Sequence, residues 1–123
     1  MEAGADNMKI QLSIPIGINA LYKQGRTHWY KDAKAVAWQN GAIYLIRAQM
    51  KKEKWVTMKG STSVEIEWWR KDKRRFDIDG PIKLCLDTLV KAEVIKDDSL
   101  IDTLYVQKFH TNKKDNFCIV DIY

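Results

Sequence analysis

The chain has 123 residues, 46% apolar and 30% charged, with 21 Lys and Arg against 16 Asp and Glu and a net charge of +5. That is one domain's worth of chain, long enough to bury a single core and too apolar to stay disordered. No apolar run nears the roughly 20 residues of a membrane-spanning helix, and the start lacks the basic and apolar stretches of a secretory signal, so cytoplasm is the expected compartment.

Residues 1–9 are expected to form a flexible N-terminal tail, with the folded part beginning close to Met8 and residues 10–123 making a single domain. Ile10 to Ile16 alternates apolar and polar residues and predicts a strand, ended by Pro15 and Gly17. Asn19 to Tyr30 reads as a loop. From Asp32, a plausible N-cap, to about Glu53, the positions of Ala33, Val36, Ala37, Ile43, Tyr44 and Met50 suit one face of a long helix, weakened in its middle by Gly41. Thr62 to Trp69 alternates again, with Val64, Ile66 and Trp68 on one side, and predicts a strand. A second helix is expected from about Gly80 to Lys91, with Ile82, Cys85, Leu86, Leu89 and Val90 at helical spacing and Pro81 in its first turn. Leu104 to Phe109 and Phe117 to Ile122 flank a polar segment and predict a hairpin. The order β-α-β-α-β-β implies a small α+β domain, a mixed sheet with helices packed on one face.

The charge is concentrated. Residues 47–75 hold ten cations against four carboxylates, so the whole positive surplus lies in one segment. Four of its cations fall within Lys71–Arg75, which leads directly into Asp77 and Asp79. A solvated basic face would explain the run alone; an anionic polymer explains it better once acidic residues follow at once. Asp77 and Asp79, two apart, share one side of an extended segment. Lys83 follows Asp79 by four residues and Asp87 follows Lys83 by four, forming a stripe beside the apolar face of the second helix. Asp97 and Asp98 then stand at the mouth of the next strand. Carboxylates repel one another, and gathering them next to cations suggests a hard metal ion and a phosphate backbone held together. Mg²⁺ takes oxygen ligands and keeps several waters, so few protein ligands suffice.

Each element also has a plainer explanation. Asp79 could cap the second helix, Lys83 could bridge Asp79 and Asp87 on the surface, and Asp97-Asp98-Ser99 could be an ordinary turn. His28 and His110 have no partner spacing. Cys85 and Cys118 lack metal-site spacing and are expected to be reduced, buried thiols. Trp68 is expected in the core, while Trp69 or Trp55 could stack on exposed bases. A basic module that binds DNA or RNA without cutting it is the alternative, and a general nuclease of branched DNA a further one.

The run Arg75-Phe76-Asp77-Ile78-Asp79-Gly80-Pro81-Ile82-Lys83, with Leu86-Asp87-Thr88-Leu89 and Asp97-Asp98-Ser99-Leu100-Ile101 after it, resembles the RusA family of Holliday junction resolvases. The similarity extends to Ile14-Pro15, the Asn19 loop and Gly25-Arg26, and so covers nearly the whole chain. It implies a small homodimeric endodeoxyribonuclease that uses Mg²⁺, with Mn²⁺ as a substitute, and resolves four-way DNA junctions by paired, symmetric nicks. The family is typical of phages and prophages. On this resemblance Asp77, Asp79 and Asp98 match the metal-binding carboxylates and Lys83 the essential lysine. Asp87 and Asp97 stand behind those ligands, and Arg26, Lys71, Lys73, Arg74 and Arg75 are expected to hold the DNA backbone. The chain departs from the family in carrying Gly80-Pro81 where Asn often follows the second aspartate. A homodimer also has a physical rationale, since two opposed cuts call for two matching sites about a two-fold axis.

Overall fold

A computed structural model describes residues 6–14, 22–24, 29–31, 33–72 and 76–123. The elements run β1 (Met8–Leu12), β2 (Tyr22–Gln24), β3 (Trp29–Lys31), α1 (Ala33–Glu53), β4 (Thr62–Arg70), α2 (Ile82–Lys91), a 3-10 turn (Asp98–Leu100), β5 (Ile101–His110) and β6 (Phe117–Ile122). The expected β-α-β-α-β-β order holds for the main body. To it is added a short antiparallel hairpin of β2 with β3, where the sequence suggested only a loop. The first strand begins at Met8, two residues earlier than expected, and ends at Leu12. Asp32, expected to cap α1, lies outside the described residues.

β4 organises the sheet. Its alternation buries Val64, Ile66 and Trp68 completely and leaves Glu65, Glu67 and Trp69 half-buried on the opposite side. A strand this apolar on one face needs partners on both edges, and the spatial order is β1-β6-β4-β5. β6 runs antiparallel to β4, while β5 runs parallel to it. The expected hairpin of the last two strands is therefore corrected: β4 lies between them. Strands two apart in a sheet are separated by about 10 Å, and the polar segment 111–116 spans that gap around the end of β4. Thr111 donates its N–H to Arg70 O at 2.8 Å, and Lys71 donates its N–H to Asn116 Oδ1 at 2.8 Å.

The core lies between one sheet face and the two helices. Met8, Ile10 and Leu12 of β1, the β4 trio, and Cys118, Val120 and Ile122 of β6 meet Ala42 and Ile46 of α1 and Cys85 and Leu89 of α2. The expected inward face of α1 is rotated: Ala35, Gln39, Ala42 and Ile46 are buried, whereas Val36 and Tyr44 are exposed. Apolar residues occur all round this helix, so their spacing does not single out a face. What fixes it is partly polar. Gln39 donates to Thr88 Oγ1 at 3.1 Å and accepts from Lys91 Nζ at 3.1 Å, tying α1 to α2 inside the core.

α1 passes straight through Gly41, which is exposed, and a Cβ built there meets nothing within 4 Å. Gly41→Ala is therefore expected to raise stability by about 0.5–1 kcal/mol, through the backbone entropy that glycine loses in a helix. A rise in the thermal midpoint with unchanged far-UV spectrum is the readout.

Candidate functional site

The segment carrying Asp77 is anchored from both sides. Trp68, fully buried on β4, donates its indole N–H to Ile78 O at 2.9 Å. Phe76 packs edge-on against Trp68 at 6.0 Å between ring centres, and the Arg70 guanidinium sits 4.5 Å over the Phe76 ring. Lys108 of β5 donates to Phe76 O at 3.1 Å. Asp77 is thus bracketed by two residues whose carbonyls are held by the sheet, while its own side is exposed. Trp68, Arg70 and Lys108 have this positioning role, and sequence reasoning missed it for all three, placing Trp68 only in the core. Lys108 lies opposite Trp68 only because β4 and β5 are parallel neighbours.

From Asp77 the chain turns into α2. Gly80 donates its N–H to Asp77 O at 3.0 Å and Ile82 to Asp79 O at 3.3 Å, so the backbone carbonyls of both aspartates close the turn. Pro81 occupies the cap position and α2 has no side-chain cap. Asp79 is exposed, and its carboxylate is not the helix cap that the plainer explanation required. Gly80 and Pro81 leave the capping of this end to backbone groups alone.

α2 ends where Glu93 takes a left-handed conformation (φ 67) and Val94 returns its N–H to Leu89 O at 3.0 Å. Val94 and Ile95 are buried, and Met58 brackets them, donating to Val94 O and accepting from Lys96, both at 2.9 Å. This reversal brings the next carboxylates back alongside the helix. Asp97 caps the 3-10 turn by accepting the Ser99 N–H at 3.1 Å, a contact that holds its carboxyl below the usual range, with Asp98 adding to the effect. Here the plainer turn explanation holds for Asp97. Asp98 is exposed and behaves differently. Its carboxyl is pushed up, first by its hydrogen bond with the Asp97 side chain, then by partial desolvation and the negative charges of Asp97 and Asp87, against the lowering effect of Lys83. Four of the candidate residues, from two separate segments, therefore lie within electrostatic reach of one another.

Among the described residues, no group of three or more Asp, Glu, His or Cys side chains already stands close enough to hold a metal ion. The chemistry of the donor set nevertheless fits a hard divalent cation. The candidates are all carboxylates, and the crowding of negative charge on Asp98 is what a cation offsets. Mg²⁺ is commonly held by one or two carboxylates together with substrate phosphate oxygens rather than by a complete protein cage.

Of the expected DNA-backbone contacts, Lys71 is exposed at the end of β4, while Arg26, Lys73, Arg74 and Arg75 lie outside the described residues. Trp55 is buried and donates to Val94 O at 3.1 Å, so it is a core residue and not a stacking platform. Trp69 lies between Phe109 at 4.4 Å and Phe117 at 5.8 Å, both parallel to it, so its ring faces are occupied by protein. His110 is exposed at the end of β5, and His28 lies outside the described residues. Cys85 and Cys118 are free and buried, as expected. The hydrogen bond with Cys118, then burial, pushes the Cys85 thiol well up, which suits packing rather than chemistry. No helix among the described residues is long and apolar enough to cross a membrane.

The model of one protein family, described as Endodeoxyribonuclease RusA, matches residues 15–121. No curated protein matches the chain.

Proposed function

Because the chain belongs to the RusA endodeoxyribonuclease family, whose enzymes are Holliday junction resolvases, we propose that it cuts four-way DNA junctions by paired, symmetric nicks, as a homodimer that uses Mg²⁺. The observation that carries the reading is the family match over residues 15–121, and the electrostatic influence of Asp97, Asp87 and Lys83 on Asp98 within it supports the same reading.

In this reading Asp77, Asp79 and Asp98 hold the cation. When bound, Mg²⁺ or Mn²⁺ would supply Lewis acidity at the scissile phosphate and make the attacking water easier to deprotonate. The chain's own residues do the rest. Lys83, in the first turn of α2, offers a fixed positive charge to the phosphate as negative charge builds on it. Asp97 keeps the turn under Asp98 closed, and Asp87 adds negative charge behind it. Trp68 and Lys108 hold the backbone on either side of Asp77, so that this carboxylate meets the phosphate without first being ordered. Lys71, Lys73, Arg74, Arg75 and Arg26 neutralise the DNA backbone, which makes binding salt-sensitive. The cytoplasm of a bacterium carrying a phage or prophage is the setting in which we place it.

The test is a comparison of cleavage on a four-way junction, a fork and a linear duplex of matched sequence. The proposal expects the four-way junction to be cut at least about tenfold faster than the fork, a difference of about 1.4 kcal/mol, with little cutting of the duplex. Equal rates on junction and fork would replace it with a general nuclease of branched DNA.

A further inference from the structure

β5 is an edge strand: it pairs with β4 on one side, and among the described residues no strand pairs with the other. A ten-residue open edge is an exposed row of backbone donors and acceptors, which native proteins protect or use. This one is little protected. Leu104 is 41% and Tyr105 62% exposed, and the register irregularity falls at its beginning, so the length from Thr103 onward is regular. Asp102 and Lys108 are its only ionised pair, which leaves the strand neutral beside a basic chain. A strand without net charge attracts an anionic backbone little, while its open row of donors and acceptors suits another protein strand.

The sequence of β5 is complementary to itself when reversed. Antiparallel pairing about Tyr105 sets Leu104 opposite Val106, Thr103 opposite Gln107, and Asp102 opposite Lys108, twice over about the two-fold axis. Apolar residues then meet apolar ones, and each charge meets its opposite. Shifting the register by two residues in either direction breaks the pairing of Asp102 with Lys108. We propose that β5 is the surface through which two copies of this chain associate, forming one continuous eight-stranded sheet with Tyr105 on the axis. The inference rests on the homodimer reading above and adds its interface. It also has a consequence for the site: β5 starts directly after the 3-10 turn that carries Asp98, and its Lys108 holds the carbonyl before Asp77. Pairing at β5 would therefore bring both copies' sites to the same seam.

The experiment combines sedimentation of the wild-type chain with oxidative cross-linking of single-cysteine additions. Cys85 and Cys118 are buried and do not compete. Tyr105→Cys should yield a covalent dimer; Thr103→Cys and Gln107→Cys should each fail alone and cross-link when mixed. As a second measure, Asp102→Lys or Lys108→Asp alone should shift the chain toward monomer, and the double exchange should restore the dimer. A wild-type dimer in which Tyr105→Cys does not cross-link and the charge exchanges leave the mass unchanged would overturn this interface while leaving the homodimer standing. A wild-type monomer, free and on a four-way junction, would overturn both. Junction cutting measured on the wild-type chain and on Tyr105→Cys under reducing conditions reports separately on the nuclease reading; Lys108→Asp is read for mass alone, because Lys108 also holds Phe76 O.

Discussion

Asp98→Asn is expected to bind a four-way junction as the wild type does and to cut it at least about 100-fold more slowly. The amide keeps the size of the side chain and removes the charge that a cation needs. Its neighbour provides the control. Asp97 already spends its carboxylate on the Ser99 N–H, and asparagine caps a helical turn as well as aspartate does. Asp97→Asn should therefore keep the turn closed and lose far less activity than Asp98→Asn. Gel-shift binding and single-turnover cleavage on the same junction separate the two effects. Equal losses in both variants would mean that the turn as a whole, rather than the Asp98 charge, is what matters.

Trp68→Ala is expected to cost about 3–5 kcal/mol, a large part of the 5–15 kcal/mol or so that holds a domain together. Trp68 is the largest fully buried side chain among the described residues. Its removal opens a cavity between β4 and the helices and strips Phe76 of its packing partner. Urea denaturation should show a much lower midpoint. Trp68→Phe is the more informative variant. It keeps most of the apolar bulk but leaves Ile78 O without its donor, a loss of about 1 kcal/mol. The chain should fold, yet cut junctions about tenfold more slowly or worse, because the Asp77 turn is no longer fixed. Unchanged cutting by a folded Trp68→Phe would remove Trp68 from the positioning role.

What the sequence made legible follows from how local each signal is. β4 announces itself through strict alternation, and α2 through apolar residues at helical spacing, because burial on one face imposes those periods directly. The pairing of β5 and β6 was not legible. Two apolar strands with a short polar connection resemble a hairpin, and only the demand of β4 for partners on both edges separates them. The face of α1 was hidden for a different reason: its contact with α2 runs through Gln39, Thr88 and Lys91, polar residues that a hydrophobic pattern ignores.

The candidate site divides along the same line. Asp77, Asp79, Lys83, Asp87, Asp97 and Asp98 stood out because carboxylates and a lysine at such spacing are costly to gather without a ligand. The residues that hold the Asp77 turn did not stand out, because their role comes from packing. Arg70 and Lys108 read as two cations among many, and Trp68 reads only as core. Lys108 reaches Phe76 O, 32 positions away in the chain, because β5 lies parallel beside β4.

The most direct test of the central claim is strand-specific cleavage of an end-labelled synthetic four-way junction, in Mg²⁺ and in EDTA. Paired nicks at symmetric positions in two opposed strands are expected, present with Mg²⁺ and absent with EDTA. Tight junction binding without nicks under Mg²⁺ or Mn²⁺ would contradict it and leave a basic module that holds branched DNA without cutting it.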